Sequence, residues 1–290
     1  MSLSTTALHG LHEELGGRLV DFAGWELPVQ FAGIIAEHQH TRKSASLFDV
    51  SHMGQVLIYP ESGNLADAAA ALETLIPASV AGLKEGRQRY GLFTDENGGV
   101  LDDLMFANHG DRYFLVVNAA RSDHDLGLLR TLERVTVEHI TDRSLLALQG
   151  PRAEEALAGL IPDAAGLRFM DSRILDWDGV TVWVSRSGYT GEDGFEISVP
   201  SAEAERLASR VLIMNEGRII ADGTVTALRE LLDRGSEITW IEDGARHVHT
   251  THSPERFVRG LDLDAITGLT ITRPTLEETY LSLVNKEPRP

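Results

Sequence analysis

Apolar and polar positions alternate most regularly between residues 89 and 120, RYGLFTDENGGVLDDLMFANHGDRYFLVVNAA. Three period-two runs are separated by Asp95-Glu96-Asn97-Gly98-Gly99 and by Asn108-His109-Gly110-Asp111. Both separators supply residues that tolerate positive φ, so the pattern predicts a three-strand meander. Ahead of it, IIAEHQHTRKS (34–44) predicts a short helix, FDVSHMGQVLIYP (48–60) alternates, and NLADAAAALETL (64–75) is helical in composition. Beyond the meander, Pro151 is placed to open a helix at its first position, running through EEALAGLI. Strands follow near 174–187 and 194–199, around the glycine-rich reversal GYTGEDG. Helices mixed with antiparallel strands define an α+β fold, not a doubly wound parallel sheet.

The texture changes after residue 208. VLIM, Asn215-Glu216-Gly217 and RIIADG predict a hairpin, VTALRELL a helix, and EITWIEDGARHVHT a second hairpin turned at Asp243-Gly244. Ser253 and Pro254 are placed as N-cap and first residue of a helix, and Thr275 with Glu278 form a capping box for LEETYLSLV. The expected organisation is therefore one region over 1–207 and a second over 208–290, with no Gly/Pro/Ser spacer between them. The second is expected to pack as a small α/β module of its own.

Composition narrows the function classes. The 290 residues are 42% hydrophobic and 24% charged, as in an ordinary globular chain. Cysteine is absent, which removes disulfides, thiolate metal sites and cysteine nucleophiles, and fits a reducing cytoplasm. The N-terminus has no basic segment followed by an apolar one, and no apolar run approaches a membrane span, so a cytoplasmic protein with no membrane insertion is expected. Net charge is −18, with 15 basic against 29 acidic residues in 1–200 and 11 against 15 in 201–290. A surface so acidic repels a phosphate backbone and argues against nucleic acid as partner.

Few residues carry chemistry by pattern alone. Asp102 and Asp103 are adjacent on a predicted strand, so their side chains leave on opposite faces and cannot both enter one pocket. Asp102 shares its face with Val100, Leu104 and Phe106, apolar company that suits a carboxyl to proton handling or to accepting from an N–H donor. The same acids read equally as the solvated mouth of a hairpin. In GYTGEDGFEIS, Glu196 faces away from whatever Phe195 and Ile197 bury against, and the glycines either bring backbone close to a ligand or only make a turn. No dinucleotide fingerprint or P-loop occurs. His247 and His249 alternate on a strand with His252 beyond, but no carboxylate or thiol supports them, so no metal is expected. His38 and His40, at i and i+2 of a helix, share no face.

Seven segments in order, Val20–Pro28, Phe48–Gly54, Arg89–Asp95, Asn97–Leu104, Val116–Ala119, Leu148–Pro151 and Gly188–Ser198, resemble the aminomethyltransferase (T protein) of the glycine cleavage system. The resemblance covers the chain to about residue 207. It implies a folate-dependent transfer: the aminomethyl group on a lipoyl-bearing H protein loses ammonia, and its carbon passes to tetrahydrofolate as 5,10-methylenetetrahydrofolate. It also implies Asp102 as the catalytic carboxylate beside the folate nitrogens. Met53, Tyr90 and Asn118 are implied as pocket residues, and Glu196 with Tyr189 as the group that pairs with the pterin edge. A carboxylate accepting two parallel N–H donors makes such a pairing strong. The lack of cysteine separates the chain from the related iron–sulfur maintenance branch, whose motif needs one.

After the FEIS strand the resemblance ends. The family's following segment and C-terminal barrel have no counterpart here, nor does an arginine expected near the folate. LASRVLIMNEGRIIADGT and RPTLEETYLSLV instead resemble the last part of an ABC-transporter ATP-binding subunit, without its nucleotide-binding motifs, so no ATP is expected. Three functions are compatible with this pairing: an aminomethyltransferase with a replaced C-terminus, an impaired or inactive fusion product that keeps at most folate binding, or a folate-binding module linked to transporter subunits through its tail.

Overall fold

The computed structural model describes residues 2–208, the backbone of 210–215 and 218–224, and residues 236–272 apart from 243–244, 252, 262 and 264. The chain divides into two compact units, Met1–Glu205 and Arg206–Pro290.

The N-terminal unit is built on two five-stranded antiparallel sheets. One contains β4 (Gly54–Pro60), β5 (Arg87–Thr94), β6 (Val100–Asn108), β7 (Tyr113–Val117) and β8 (Val135–Ile140), in the order β5-β6-β7-β4-β8. The other contains β3 (Ser46–Asp49), β9 (Arg143–Gln149), β10 (Ser172–Trp177), β11 (Val180–Arg186) and β12 (Gly194–Pro200), in the order β10-β11-β12-β9-β3. The predicted meander is β5-β6-β7, in antiparallel register throughout. A separate hairpin, β1 (Arg18–Phe22) with β2 (Trp25–Gln30), precedes both sheets.

Alternation along the strands decides what each sheet covers. Val56, Ile58, Phe93, Leu104, Phe106, Leu115 and Val117 point to one side of the first sheet, where they bury against α3 (Leu65–Leu72) and α4 (Ser122–Leu129). Leu57, Ala107, Phe114 and Val116 point to the other side and meet Leu145 and Trp183 of the second sheet. Fully burying side chains of this size contributes about 1.5–3 kcal/mol each, which fixes the register of both faces. Short α5 (Ala153–Ala158) packs on β9 and β12. The unit is therefore helix, sheet, sheet and helix in layers.

Several predicted elements fall where expected. The first predicted helix is α2 (Ile34–Lys43); α3 is capped by the Asn64 side chain, which accepts from the Ala66 amide at 3.2 Å. Pro151 does not open a helix. Gly150 (φ +136°) and Pro151 lie in a turn closed by Ala153 N–H to the Gly150 carbonyl at 3.0 Å, and α5 begins two residues later. The 174–187 region is a tight hairpin, reversed at Asp178 (φ 51°) and Gly179 (φ 81°). Short α1 (His9–Glu14) carries His12, whose ring bonds the buried Asp49 carboxylate at 2.9 Å. Thr6 donates to the same carboxylate at 2.6 Å. Burial would raise the Asp49 pKa, but these hydrogen bonds with those from Ser51 hold it below the usual range.

In the second unit, α6 (Ala204–Ala208) starts before the division and crosses it. The predicted hairpins are β13 (Arg210–Asn215) with β14 (Arg218–Thr224), and β15 (Ser236–Glu242) with β16 (Ala245–Thr251). β17 (Ile266–Thr272) pairs on the other edge of β15. Ile238, Trp240 and Ile266 form the core under Phe257 and Val258 of α7 (Pro254–Val258). Ser253 occupies the N-cap with Pro254 next, yet its side chain makes no capping bond. The helix expected over VTALRELL, the Asp243-Gly244 turn, His252 and the Thr275–Glu278 box lie outside the described residues.

Candidate functional site

β5 and β6 set the site. Phe93 pairs with Asp102, and Leu92 with Asp103, across the two strands. Cross-strand partners share a face, so Asp102 lies on the side of Phe93, Leu104 and Phe106, toward α3 and α4. Asp103 lies on the other side with Tyr90 and Met105, which pair with each other. The alternation read from the sequence therefore holds at the strand, with an unexpected consequence at its end. β7 stops at Val117, and Asn118 fills the place beyond it. Its amide nitrogen lies 3.0 Å from Asp102 Oδ1, 3.0 Å from Asp103 Oδ1 and 3.1 Å from the Asp103 carbonyl. Two carboxylates that leave the strand on opposite faces are thus tied to one amide.

The face that carries Asp103 gathers the other candidates. Tyr90 is 53% exposed, and its pKa is raised first by desolvation and then by Asp103, with which it hydrogen-bonds. Met53 packs on the inter-sheet core beside Leu57 and Phe114. From the second sheet, Glu196 is buried and accepts hydrogen bonds from Ser187 at 3.0 Å and from the Tyr189 hydroxyl at 2.8 Å. Burial pushes the Glu196 pKa up, against the pull of those donors and of Ser185. The Tyr189 ring is 57% exposed while its hydroxyl turns inward, and its pKa is raised by desolvation, by Glu196 and by Asp103. Asp103 therefore stands within electrostatic reach of the Tyr189–Glu196 pair.

The loop carrying Tyr189 is held from several sides. Gln149 accepts from the Tyr189 amide at 2.8 Å and donates to the Ser187 carbonyl at 3.1 Å. Arg42 reaches the Thr190 carbonyl at 3.2 Å and Glu192 at 2.9 Å. A Cβ at Gly188 would sit 1.9 Å from the Glu192 carbonyl oxygen, so only glycine lets the loop close on itself. The cavity against which Glu196 lies, lined also by Met105, Phe114 and Trp183, measures about 10 Å³. That is room for one water molecule.

The structure thus brings Met53, Tyr90, Tyr189 and Glu196 to one face and joins Asn118 to it through Asp103. Asp102 is turned to the opposite face. Asp103, Ser187 and Gln149 were missed by the sequence reading. For Asp103 the signal was present, since alternation alone puts it with Met105 and not with Leu104. His247 and His249 stack on Trp240 and Phe257, at centroid separations of 5.2 and 3.8 Å. Among the described residues no group of three metal-ligating side chains occurs, and no helix is long and apolar enough to cross a membrane.

Two five-stranded antiparallel sheets packed between helices define an α+β domain. Within that class, the chain belongs to the GCVT N-terminal domain family, which it matches over residues 8–231. It is 40% identical over 230 residues to the mitochondrial aminomethyltransferase of Dictyostelium discoideum, covering 75% of this chain and 56% of that protein. It is 42% identical over 219 residues to the aminomethyltransferase of Rubrobacter xylanophilus, covering 73% and 57%. The crystal structure of glycine cleavage system aminomethyltransferase T from Bartonella henselae superposes with a TM-score of 0.63 at 38% identity, covering 71% of this chain and 56% of that one. The chain matches a little over half the length of these relatives. The family match runs to residue 231, past the change of texture at 208.

Proposed function

We propose that the N-terminal unit binds tetrahydrofolate and acts in aminomethyl transfer, taking the carbon from a lipoyl-bearing H protein. The observation that carries this reading is the acceptor constellation on one face: Glu196, held by Ser187 and Tyr189, with Asp103 in reach of the same tyrosine. The relatives that match at 40% and 42% identity are aminomethyltransferases. Tetrahydrofolate would supply the nitrogens that capture the transferred carbon. Glu196 is suited to a pterin edge, because a carboxylate freed from the Tyr189 hydroxyl can accept two N–H donors with charge assistance. Asp103, with Tyr90 beside it, is suited to stand near the reacting nitrogens and to hold or release a proton there. Asp102, the carboxylate singled out by its apolar company in the sequence, would act from behind, through Asn118. Met53 would form part of the wall.

Calorimetry with tetrahydrofolate tests the site. Asp103→Asn and Glu196→Gln should each weaken binding by about ten- to a hundredfold, the worth of a lost charge-assisted hydrogen bond. No heat with the unsubstituted chain would sink the reading. A coupled assay with lipoylated H protein then separates an enzyme from a binder. A second reading, favoured by the change of texture after residue 208, is that the chain binds folate and transfers carbon poorly or not at all. We further propose that residues 208–290 derive from the end of an ABC-transporter ATP-binding subunit, a reading supported by LASRVLIMNEGRIIADGT and its hairpin β13–β14. Resequencing the gene across the codons for 200–215 tests it, and recovery of two separate genes would show that the join is not native. A cytoplasmic location is part of the same proposal.

A further inference from the structure

Asp125 is fully buried in the first turns of α4, just ahead of Leu126 and Leu129, which pack on the face of the first sheet that carries Asp102. Its Oδ1 meets His124 Nδ1 at 3.0 Å. Its Oδ2 is buried without any donor. Asp102 shows the same asymmetry: Oδ1 accepts from Asn118 at 3.0 Å, while Oδ2 is buried without a donor. The two carboxyls act directly on each other, each with a buried oxygen that lacks a donor. Two carboxylates can meet in this way only if a proton lies between them, since ionised carboxylates accept and do not donate.

We propose that Asp125 and Asp102 form a proton-sharing pair through their Oδ2 atoms, and that Asp125 is a positioning residue for Asp103. The shared proton fixes the Asp102 carboxyl, Asp102 Oδ1 holds the Asn118 amide, and that amide holds Asp103 Oδ1. This deepens the folate reading, on which the importance of Asp103 rests, but the pair itself does not depend on it. The charged neighbours agree with a proton at this place. Burial pushes the Asp125 carboxyl up to about 6, Asp102 adds to the rise, and His124 opposes it. Asp123 lies in the same first turn, Arg121 reaches the Leu101 carbonyl at 3.5 Å, and Asp103 accepts from Asn118. The N-terminal end of α4 favours a charged carboxylate, and full burial outweighs it.

The pair makes a prediction about coupled titration. In the full chain labelled with ¹³C at aspartate carboxyls, Asp125 is expected to inflect near pH 6, and the Asn118 side-chain amide to shift with the same midpoint. Asp102→Asn should lower the Asp125 midpoint by about one pH unit or more, as removal of a like charge requires. Asp125→Asn, which offers Asp102 a permanent donor, should abolish the Asn118 inflection. His124→Gln should leave the joint inflection in place at a higher pH. An Asn118 amide that does not follow the Asp125 midpoint in the unsubstituted chain would overturn the pair, whatever the variants do. So would an Asn118 amide that titrates unchanged in Asp125→Asn. None of these measurements uses folate, so a chain that transfers no carbon can still possess the pair, and an active chain can still lack it.

Discussion

The imidazole of His109 lies against Phe114 and Trp183, with ring centroids 5.5 and 5.9 Å apart, and touches Ser172 Oγ at 3.1 Å. Desolvation, with Arg112 adding to it, brings its pKa down to about 4. The unfolded chain protonates this histidine near pH 6.5 and the folded chain only near 4, so between those values the unfolded state holds more protons. Stability from this group is complete above about pH 6.5 and is lost as pH falls toward 4, by up to about 3 kcal/mol. Asp125 acts with the opposite sign, because its raised pKa lets the folded state take the proton first between about 6 and 3.8. Comparing His109→Phe with the unsubstituted chain separates the two. The difference in their unfolding free energies, from denaturant titrations at pH 7, 5.5 and 4, should move in favour of His109→Phe as pH falls. A difference that stays constant with pH would show that His109 is not held neutral.

At the scale of the element, the β11–β12 connection is a clamp whose closure depends on Gly188. Gly188→Ala forces its Cβ against the Glu192 carbonyl oxygen, and backbone must yield. We expect about 1–3 kcal/mol of destabilisation, the usual cost of overpacking. The displaced loop should also release the Tyr189 hydroxyl from Glu196. Absorbance titration near pH 10 then gains one ionising phenol, and retention of the native titration would show that the loop does not set this contact. Glycine-containing turns and period-two runs make the meander legible in the sequence, and helical composition does the same for α2 and α3. The β1–β2 hairpin was not, because its reversal uses Ala23 at φ 52° ahead of Gly24, a conformation alanine seldom announces. Pro151 misled for a related reason: the turn set by Gly150 uses up the residues that would have begun the helix. The site was half legible. Glu196 and Tyr189 lie in a segment whose glycines drew notice, whereas Asp125 belongs to a helix that only tertiary packing brings to Asp102.

Taken as a whole molecule, each unit has a core of its own among the described residues. Val56, Phe93, Phe106 and Leu115 are completely or almost completely buried within the first unit, and Ile238, Trp240 and Ile266 close the core of the second. Cores built from different side chains among the described residues are expected to melt separately, because cooperativity requires that the loss of one contact weaken its neighbours. The tryptophans report on the two units independently: Trp177 and Trp183 are buried in the first, Trp240 in the second. Fluorescence-monitored thermal unfolding of the full chain should therefore show two transitions, and Trp240→Phe should silence only one of them. A chain ending at Ala208 should retain the other at a midpoint within a few degrees of its value in the full chain, and should bind tetrahydrofolate as the full chain does. A single transition shared by all the tryptophans, or collapse of the shortened chain, would mean that residues 206–290 complete the fold of the first unit, and the site could then be studied only in the intact protein.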